Sequence, residues 1–333
     1  MILAGDVGGT KTILALYGQE DGHYRCVKKQ RHASADYPTF TGLLAAFLED
    51  PNAARITAAC IGVAGPIVNG DCKTTNLPWV LIRRMIGEQL GTQRVWLLND
   101  LEATAWGVLD LPGQDFVELN PDAQRRPGNS AIAAAGTGLG EAIIAWDGSR
   151  HQIIATEGGH ADFAPTNEQE IDLLRFMMKK YPEHVSCERL LSGEGLVAIY
   201  QFLKTQEYAP ALPETEQRMI SHDPAAVIGE AGVNGIDALC VEALALFCRL
   251  YGAESGNLAL KCLPYAGIYL GGGIGAKILP FLKQGEFMRG FLAKGRYRSI
   301  LREIPVKVCT NPEAALLGAL NYAEKQVAQN SHG

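Results

Sequence analysis

The sequence predicts an α/β protein of two lobes, each built on a hairpin cornered by glycines. Three observations carry this expectation. Short apolar runs alternate with longer helical patterns along the chain. A strand, glycine turn, strand pattern occurs once in each half, which suggests a duplicated fold with one phosphate clamp per lobe. The 333 residues suffice for two domains with separate cores.

Composition narrows the function classes. Hydrophobic residues at 47% and charged residues at 20% are ordinary for a soluble globular chain. A net charge of −6 argues against a protein built to grip nucleic acid phosphates, and no apolar run is long enough to span a bilayer. The first residues run directly into a structured-looking motif, so no signal peptide is expected. Eight cysteines without a C-x-x-C pair make neither a disulfide scaffold nor zinc-site spacing. Cys60 and Cys309, within apolar runs, read as small buried hydrophobes. A reduced, cytoplasmic enzyme is the expectation.

Ile2–Leu16 reads as a strand, a turn at Gly8-Gly9, and a second strand. Paired glycines permit a tight turn and let backbone amides approach an anion. Asp6 at this turn suits a magnesium ion held through water, and Thr10 and Lys11 suit phosphate oxygens. A plain hairpin is the alternative, and Thr10 before Lys11 rules out a Walker A loop. A strand over Tyr24–His32, a helix over Phe40–Glu49 and a buried strand over Ile56–Val63 follow. Thr74–Trp79 is irregular: it either borders a polyhydroxylated ligand or is an ordinary surface loop. Leu81–Leu90 reads as a helix with Arg83 and Arg84 on its wet side.

Val95–Leu98 suits a short buried strand, and Asp100 begins a helical segment over Leu101–Val108. An acid at a strand's carboxyl end lies on the rim where α/β proteins bind ligands. The competing role for Asp100 is a helix cap. A domain change is expected near Leu111–Gly113. Ser130–Ala135 then leads through Gly136-Thr137-Gly138-Leu139-Gly140 into a strand over Glu141–Trp146. A dinucleotide fingerprint would need glycine at position 141 and a helix after the turn. Thr156–Phe163 gathers two carboxylates and His160 around Gly158-Gly159, a set suited to sugar hydroxyls or to structural capping. Glu188 is a second hydroxyl acceptor or an exposed acid at a helix start.

Asn167–Tyr181 reads as a helix capped by Thr166 or Asn167. Ile236–Lys261 reads as a long central helix, with bending or close packing expected at Gly252 and Gly256. The strand Tyr265–Leu270 runs into Gly271–Ala276, glycines that let a flat base and ribose reach the backbone, and then a helix over Lys277–Leu282. Gly271, Gly273 and Ala276 also spell a G-x-G-x-x-A nucleotide fingerprint. It stands too late in the chain for a first βα unit and lacks the acid about twenty residues on, so a dehydrogenase is disfavoured. A strand over Val306–Cys309 and a helix over Glu313–Gln326, with Pro312 in its first turn, close the chain.

Assembled, these motifs resemble the bacterial glucokinases of the actin-like, sugar-kinase and Hsp70 ATPase superfamily. Gly5-Asp6-Val7-Gly8-Gly9-Thr10 is similar to the first phosphate motif, Ala134–Gly140 with Gly136, Thr137 and Gly138 to the second, and Leu270–Ile274 with Gly272 and Gly273 to the adenosine motif. Asn99-Asp100, Glu157–Phe163 with His160, and Glu188 match the sugar-binding positions in order, and the likeness runs from about residue 2 to 322. No cysteine cluster follows His160, so the resemblance is to the zinc-free branch, without structural zinc. The chain starts at the first motif, with no DNA-binding domain expected before it.

The resemblance implies a two-lobed actin-like ATPase (ribonuclease H-like) fold with an interdomain active-site cleft. A small α/β domain over 1–110, joined by the C-terminal helix 312–330, and a large α/β domain over 111–311 are expected. The implied activity is ATP-dependent phosphorylation of D-glucose at the 6-hydroxyl, the first step of glycolysis, with ATP and Mg2+ as cofactors. Asp100 would be the base, Asn99, Glu157, His160 and Glu188 the hydroxyl ligands, and Asp6 the magnesium-placing acid. A cytoplasmic homodimer is implied, with neither nucleic acid nor membrane as partner. The alternatives are a kinase for another hexose such as mannose and a non-catalytic sugar sensor; ADP or polyphosphate stands open as donor.

Overall fold

The computed structural model describes residues 1–49 and 55–329. It divides into one unit of Met1–Gly113 with the C-terminal segment from Asn311, and a second of Gln114–Thr310.

The first unit opens with the hairpin of β1 (Ile2–Val7) and β2 (Lys11–Glu20), then β3 (His23–Ala33) and α1 (Phe40–Leu48). Every residue of β4 (Ala58–Val63) is buried, as a central parallel strand requires. A small ribbon, β5 (Ile67–Val68), β6 (Asp71–Lys73) and β7 (Val80–Leu81), precedes α2 (Arg83–Leu90), β8 (Val95–Asn99) and α3 (Asp100–Asp110). The sheet order is β3-β2-β1-β4-β8. Exposed β3 carries Arg25, Lys28, Lys29 and Arg31 on the edge, charges that discourage pairing with another chain.

The second unit comprises β9 (Phe116–Glu118), β10 (Ser130–Ala135), β11 (Leu139–Trp146) and β12 (His151–Ala155). Its helices α4 (Glu168–Met178), α5 (Gly193–Thr205), α6 (Pro213–Ser221), α7 (Pro224–Val233) and α8 (Ala238–Cys262) follow. It ends with β13 (Gly267–Gly271), α9 (Gly272–Lys277), α10 (Leu279–Leu282), α11 (Glu286–Phe291), α12 (Arg298–Arg302) and β14 (Val306–Cys309). The sheet order is β12-β11-β10-β13-β14-β9. Its first five strands repeat the order and directions of the first unit's sheet: two antiparallel neighbours, then two parallel ones.

The last helix, α13 (Ala314–Gln329), returns to the first unit and crosses α3. Gly107 and Gly318 make that crossing a backbone contact: a Cβ on Gly318 would lie 1.7 Å from Ala103 O, and one on Gly107 2.0 Å from Ala314 O. In the second unit Gly252 does the same for α8 against α11, where a Cβ would stand 1.9 Å from Phe287 O. The central helix is therefore packed closely at this glycine and continues through it.

Several boundaries differ from the sequence reading. The helix expected over Lys277–Leu282 starts at Gly272 and breaks at Ile278, because Pro280 lacks an N–H and obstructs continuation from the preceding turn. Pro312 lies before α13, where Asn311 Oδ1 accepts from Glu313 N at 2.8 Å and starts the helix later. Leu81 pairs in β7 instead of opening α2. Asn167, accepting from Glu170 N, caps α4. All eight cysteines are free and only Cys26 is exposed. Among the described residues no single helix is long and apolar enough to cross a membrane.

Candidate active site

The register of β1, β4 and β8 brings Asp6 level with Gly62 and Leu98, one residue short of Asn99. Capping of α3 falls to Asn99: its Oδ1 accepts from Leu101 N at 2.9 Å while its Nδ2 donates to Gly65 O at 3.2 Å. One amide hydrogen and part of the carbonyl capacity remain for another ligand. Asp100 is thus the first helical residue, with Oδ1 also accepting from Leu101 N at 2.9 Å. Its side chain reaches solvent, yet the protein around it is dense enough to raise its carboxyl above the ordinary range, against the lowering effect of that backbone hydrogen bond. Asp6 is pushed up to about 6, mainly by burial, with Lys11 opposing and the Asp100 charge adding to the rise. An acid of β1 and the first residue of α3 thus share one electrostatic environment.

Behind the Gly8–Thr10 turn stands Ser34, which the sequence reading did not single out. Its Oγ donates to Gly8 O at 2.9 Å, its N to Thr10 O at 3.1 Å, and its hydroxyl meets Thr12 Oγ1 at 3.0 Å. Both ends of the turn therefore hang on one buried residue, Gly8 on its side chain and Thr10 on its backbone. Gly9 backs onto Asn76, where a Cβ would come within 2.9 Å of Asn76 Cβ. Gly5 and Val7 are buried in the sheet, so only their backbone is available to a ligand, while Thr10 is exposed. The Thr74–Trp79 segment is anchored inward: Thr74 Oγ1 donates to Leu77 O and Trp79 O, and buried Trp79 donates through Nε1 to Tyr37 O.

In the second unit the β10–β11 turn closes through Gly136 N to Gly138 O at 2.8 Å, and Gly193 N donates to Gly136 O at 3.0 Å. Glu188 Oε2 accepts from Leu139 N at 2.9 Å, and its Oε1 lies 4.0 Å from His160 Nε2. A Cβ at Gly138 would collide with that carboxylate. His160 ends a 3-10 turn over Gly158–His160, packed so tightly that a Cβ on Gly159 would lie 2.0 Å from Leu139 O. Glu157 just before it is exposed and makes no side-chain hydrogen bond or ion pair among the described residues. Asp162 turns instead to His184 Nε2 at 2.9 Å, and its backbone bridges to Ser186. The 157–163 and 184–189 segments are thereby joined. Gly138, His160 and Glu188 come together in this unit, as Asp6 and Asp100 do in the first.

A cavity of about 1530 Å³ opens in the second unit, with Gly136, Thr137 and Gly273 among its lining. Gly272 does not line it; φ of +79° and a backbone approach to Ala135 O are what demand glycine there. Lysine, acid and apolar side chains complete the wall, among them Phe176 of α4, Lys180 just beyond its end, Glu194 of α5 and Ala225 of α7. None of these four carried a recognisable signal, since each belongs to an ordinary amphipathic helix pattern.

The residues fit the groups that the resemblance implies. At Gly136 and Gly273 a Cβ would meet no protein atom within 4 Å, which leaves backbone open to a nucleotide. Asp6 and Asp100, both raised, have Lys11 as the one lowering cation for Asp6, a deficit that a divalent ion would relieve.

A family model described as Glucokinase matches residues 3–326. The glucokinase of Nostoc punctiforme is 41% identical over 332 residues, covering 96% of this chain and 97% of that relative. The glucokinase of Tolumonas auensis is 35% identical over 326 residues, 98% of each chain. A solved glucokinase from an Antarctic psychrotroph is similar with a TM-score of 0.85 at 26% identity, over 97% of this chain and 98% of that one. A ROK-family glucokinase from Streptomyces griseus, solved in complex with glucose and AMPPNP, shares the fold with a TM-score of 0.64 at 22% identity, over 97% and 99%. The fold is that of the actin-like ATPase sugar kinases.

Proposed function

This chain belongs to the glucokinase family, and from that premise we infer that it transfers the terminal phosphoryl group of ATP to the 6-hydroxyl of D-glucose. The observation that carries the site assignment is the exposed, raised carboxyl of Asp100 at the carboxyl end of β8, relieved of capping by Asn99. Asp100 accepts the 6-hydroxyl proton as that oxygen bonds to the γ-phosphorus and the bond to the ADP oxygen breaks. Glu157, His160 and Glu188, with the spare amide hydrogen of Asn99, take the other hydroxyls. The Gly8–Thr10 turn, held by Ser34, and the Gly136–Gly138 turn orient phosphate oxygens through backbone N–H groups. Asp6 would help to hold Mg2+, which would supply charge neutralisation on the phosphates. Phosphoryl transfer gains mostly from such positioning and neutralisation.

Supporting this reading, the cavity that contains Gly136, Thr137 and Gly273 has room for a nucleotide. The proposed domain division is 1–110 with 312–330, and 111–311. We also propose a cytoplasmic homodimer that engages neither nucleic acid nor membrane; light scattering on the purified chain tests the dimer. The functional test is a coupled assay over a panel of hexoses and phosphate donors. Glucose with ATP should be the preferred pair, and Asp100→Asn should lower kcat at least about a hundredfold with glucose affinity little changed. Near-normal turnover in that variant removes Asp100 as base. Sugar binding without turnover in the native chain would make it a sensor instead.

A further inference from the structure

Two buried carboxyls lie beneath the sugar turns and have no part in the reaction described above. Glu141 on β11 is 1% exposed and Glu254 on α8 is 5% exposed. Each leaves its Oε1 buried without a hydrogen-bond partner among the described residues. Glu141 Oε2 stands 2.3 Å from where a Cβ on Gly158 would be, so its carboxyl underlies the Gly158–His160 turn directly. Thr156 ties the same two residues by their backbones, donating to Glu141 O at 2.7 Å and accepting from Gly158 N at 3.1 Å. Glu254 Oε2 accepts from the Cys187 thiol at 3.3 Å and from Asn257 Nδ2 at 2.9 Å. Cys187 neighbours Glu188, and its N donates to Ala161 O at 2.9 Å. One carboxyl thus underlies the turn of Glu157 and His160, and the other holds the thiol of Cys187, the residue before Glu188.

The groups that act on this pair come from three directions. Lys261, Tyr251 and Cys262 join Glu254 on α8, and Cys187 comes from its 3-10 turn. Lys294, near Glu254 with Glu170, donates to Asn257 Oδ1 at 2.6 Å. Burial first, and the Glu254 charge second, push Glu141 up to about 7, with Lys261 opposing. Two ionised carboxylates here would be penalised by desolvation and by mutual repulsion; one retained proton removes the repulsion.

We propose that Glu141 keeps its proton at neutral pH and that Glu141 and Glu254 act as positioning residues, keeping Glu157, His160 and Glu188 in place for the sugar. The inference rests on reading those turns as sugar-binding. Loss of the proton above neutral pH puts a second charge under both turns and disturbs them, leaving the nucleotide contacts unaffected.

The test follows glucose KM, ATP KM and kcat of the full chain between pH 6.5 and 8.5, with glucose binding measured separately by calorimetry. In the native chain glucose KM and Kd should rise at least about threefold with pH while ATP KM stays level, within the limit of tenfold per pH unit for a one-proton linkage. Glu141→Gln and Glu254→Gln, each limited to one charge, should hold the low-pH values throughout. A pH-independent native glucose Kd overturns the proposal, and so does a rise that persists in both variants. The native profile needs no variant to fold. Phosphorylation of glucose with a flat profile sinks only this proposal, whereas neither binding nor turnover of any hexose sinks the functional reading with it.

Discussion

The glycine crossing of α3 and α13 yields a prediction whose sign is diagnostic. A Cβ on Gly318 would meet Ala103 O at 1.7 Å and Gly107 N at 2.5 Å, where contacts under 3.0 Å essentially never occur. The obstacle is backbone, so Gly318→Ala must part the helices by more than an ångström. Ala103, Leu316, Ala319 and Leu320, buried together at this seam, would loosen at once. A gap of about 0.5–1 Å already forfeits a quarter to a half of a dispersion contact. Overpacking typically costs about 1–3 kcal/mol, and rigid backbone on both sides places this case near 3 kcal/mol. In an open helix position the same change should instead stabilise by about 0.5–1 kcal/mol. Gly229→Ala in α7, where a Cβ meets nothing within 4 Å, supplies that comparison. With about 2 °C per kcal/mol for a large domain, thermal unfolding should show Gly318→Ala about 6 °C below the native chain. Gly229→Ala should lie slightly above it. Because Asp100 opens α3, kcat should fall with Gly318→Ala as well. An unchanged or raised Tm for Gly318→Ala would refute the account of the crossing.

Three further outcomes are expected. Glu157→Gln should weaken glucose binding roughly tenfold or more while nucleotide binding holds, and calorimetry showing equal losses for both would remove it from the sugar site. Asp6, raised to about 6, is neutral below that pH, so the Mg2+ concentration for half-maximal rate should climb as pH falls through 6. The same raised value makes native stability, without Mg2+, decline as pH rises from the ordinary carboxylate range to about 6; Asp6→Asn should abolish both trends, as Mg2+ titrations and urea unfolding would report. Ser34→Ala frees Gly8 O from its donor and should raise KM for ATP several-fold with glucose KM steady; a change confined to glucose would contradict the turn-holding role.

Much of this was legible from residue order. Buried β8 followed by polar Asn99 and Asp100 marked a strand end, and the paired glycine hairpins announced a repeated sheet. Which of Asn99 and Asp100 caps α3 was not legible, because both residue types cap well and both Oδ1 atoms accept from Leu101 N; the extended backbone at Asn99 decides. The cavity walls were hidden for a different reason. Phe176, Glu194 and Ala225 sit on helices, and Lys180 follows one, whose periodicity says only that one face is buried, not what faces the other. Glu141 was read as the residue that spoils a dinucleotide motif; a charged residue on a strand ordinarily faces water, so its burial needed α8 and the Gly158 turn in place.

The return of α13 has a bearing on how the polypeptide matures. Ile2, Ala4, Ala15, Ala58 and Cys60 form an apolar surface whose cover, through Leu316, Ala319 and Ala323, is delivered by a ribosome only after the second unit. Every strand of the second unit emerges before that cover does. Domains usually mature in the order of synthesis, but here the half that is started first is completed last. During that interval a chaperone, or a misdirected neighbour, has its best opportunity to engage the nascent sheet.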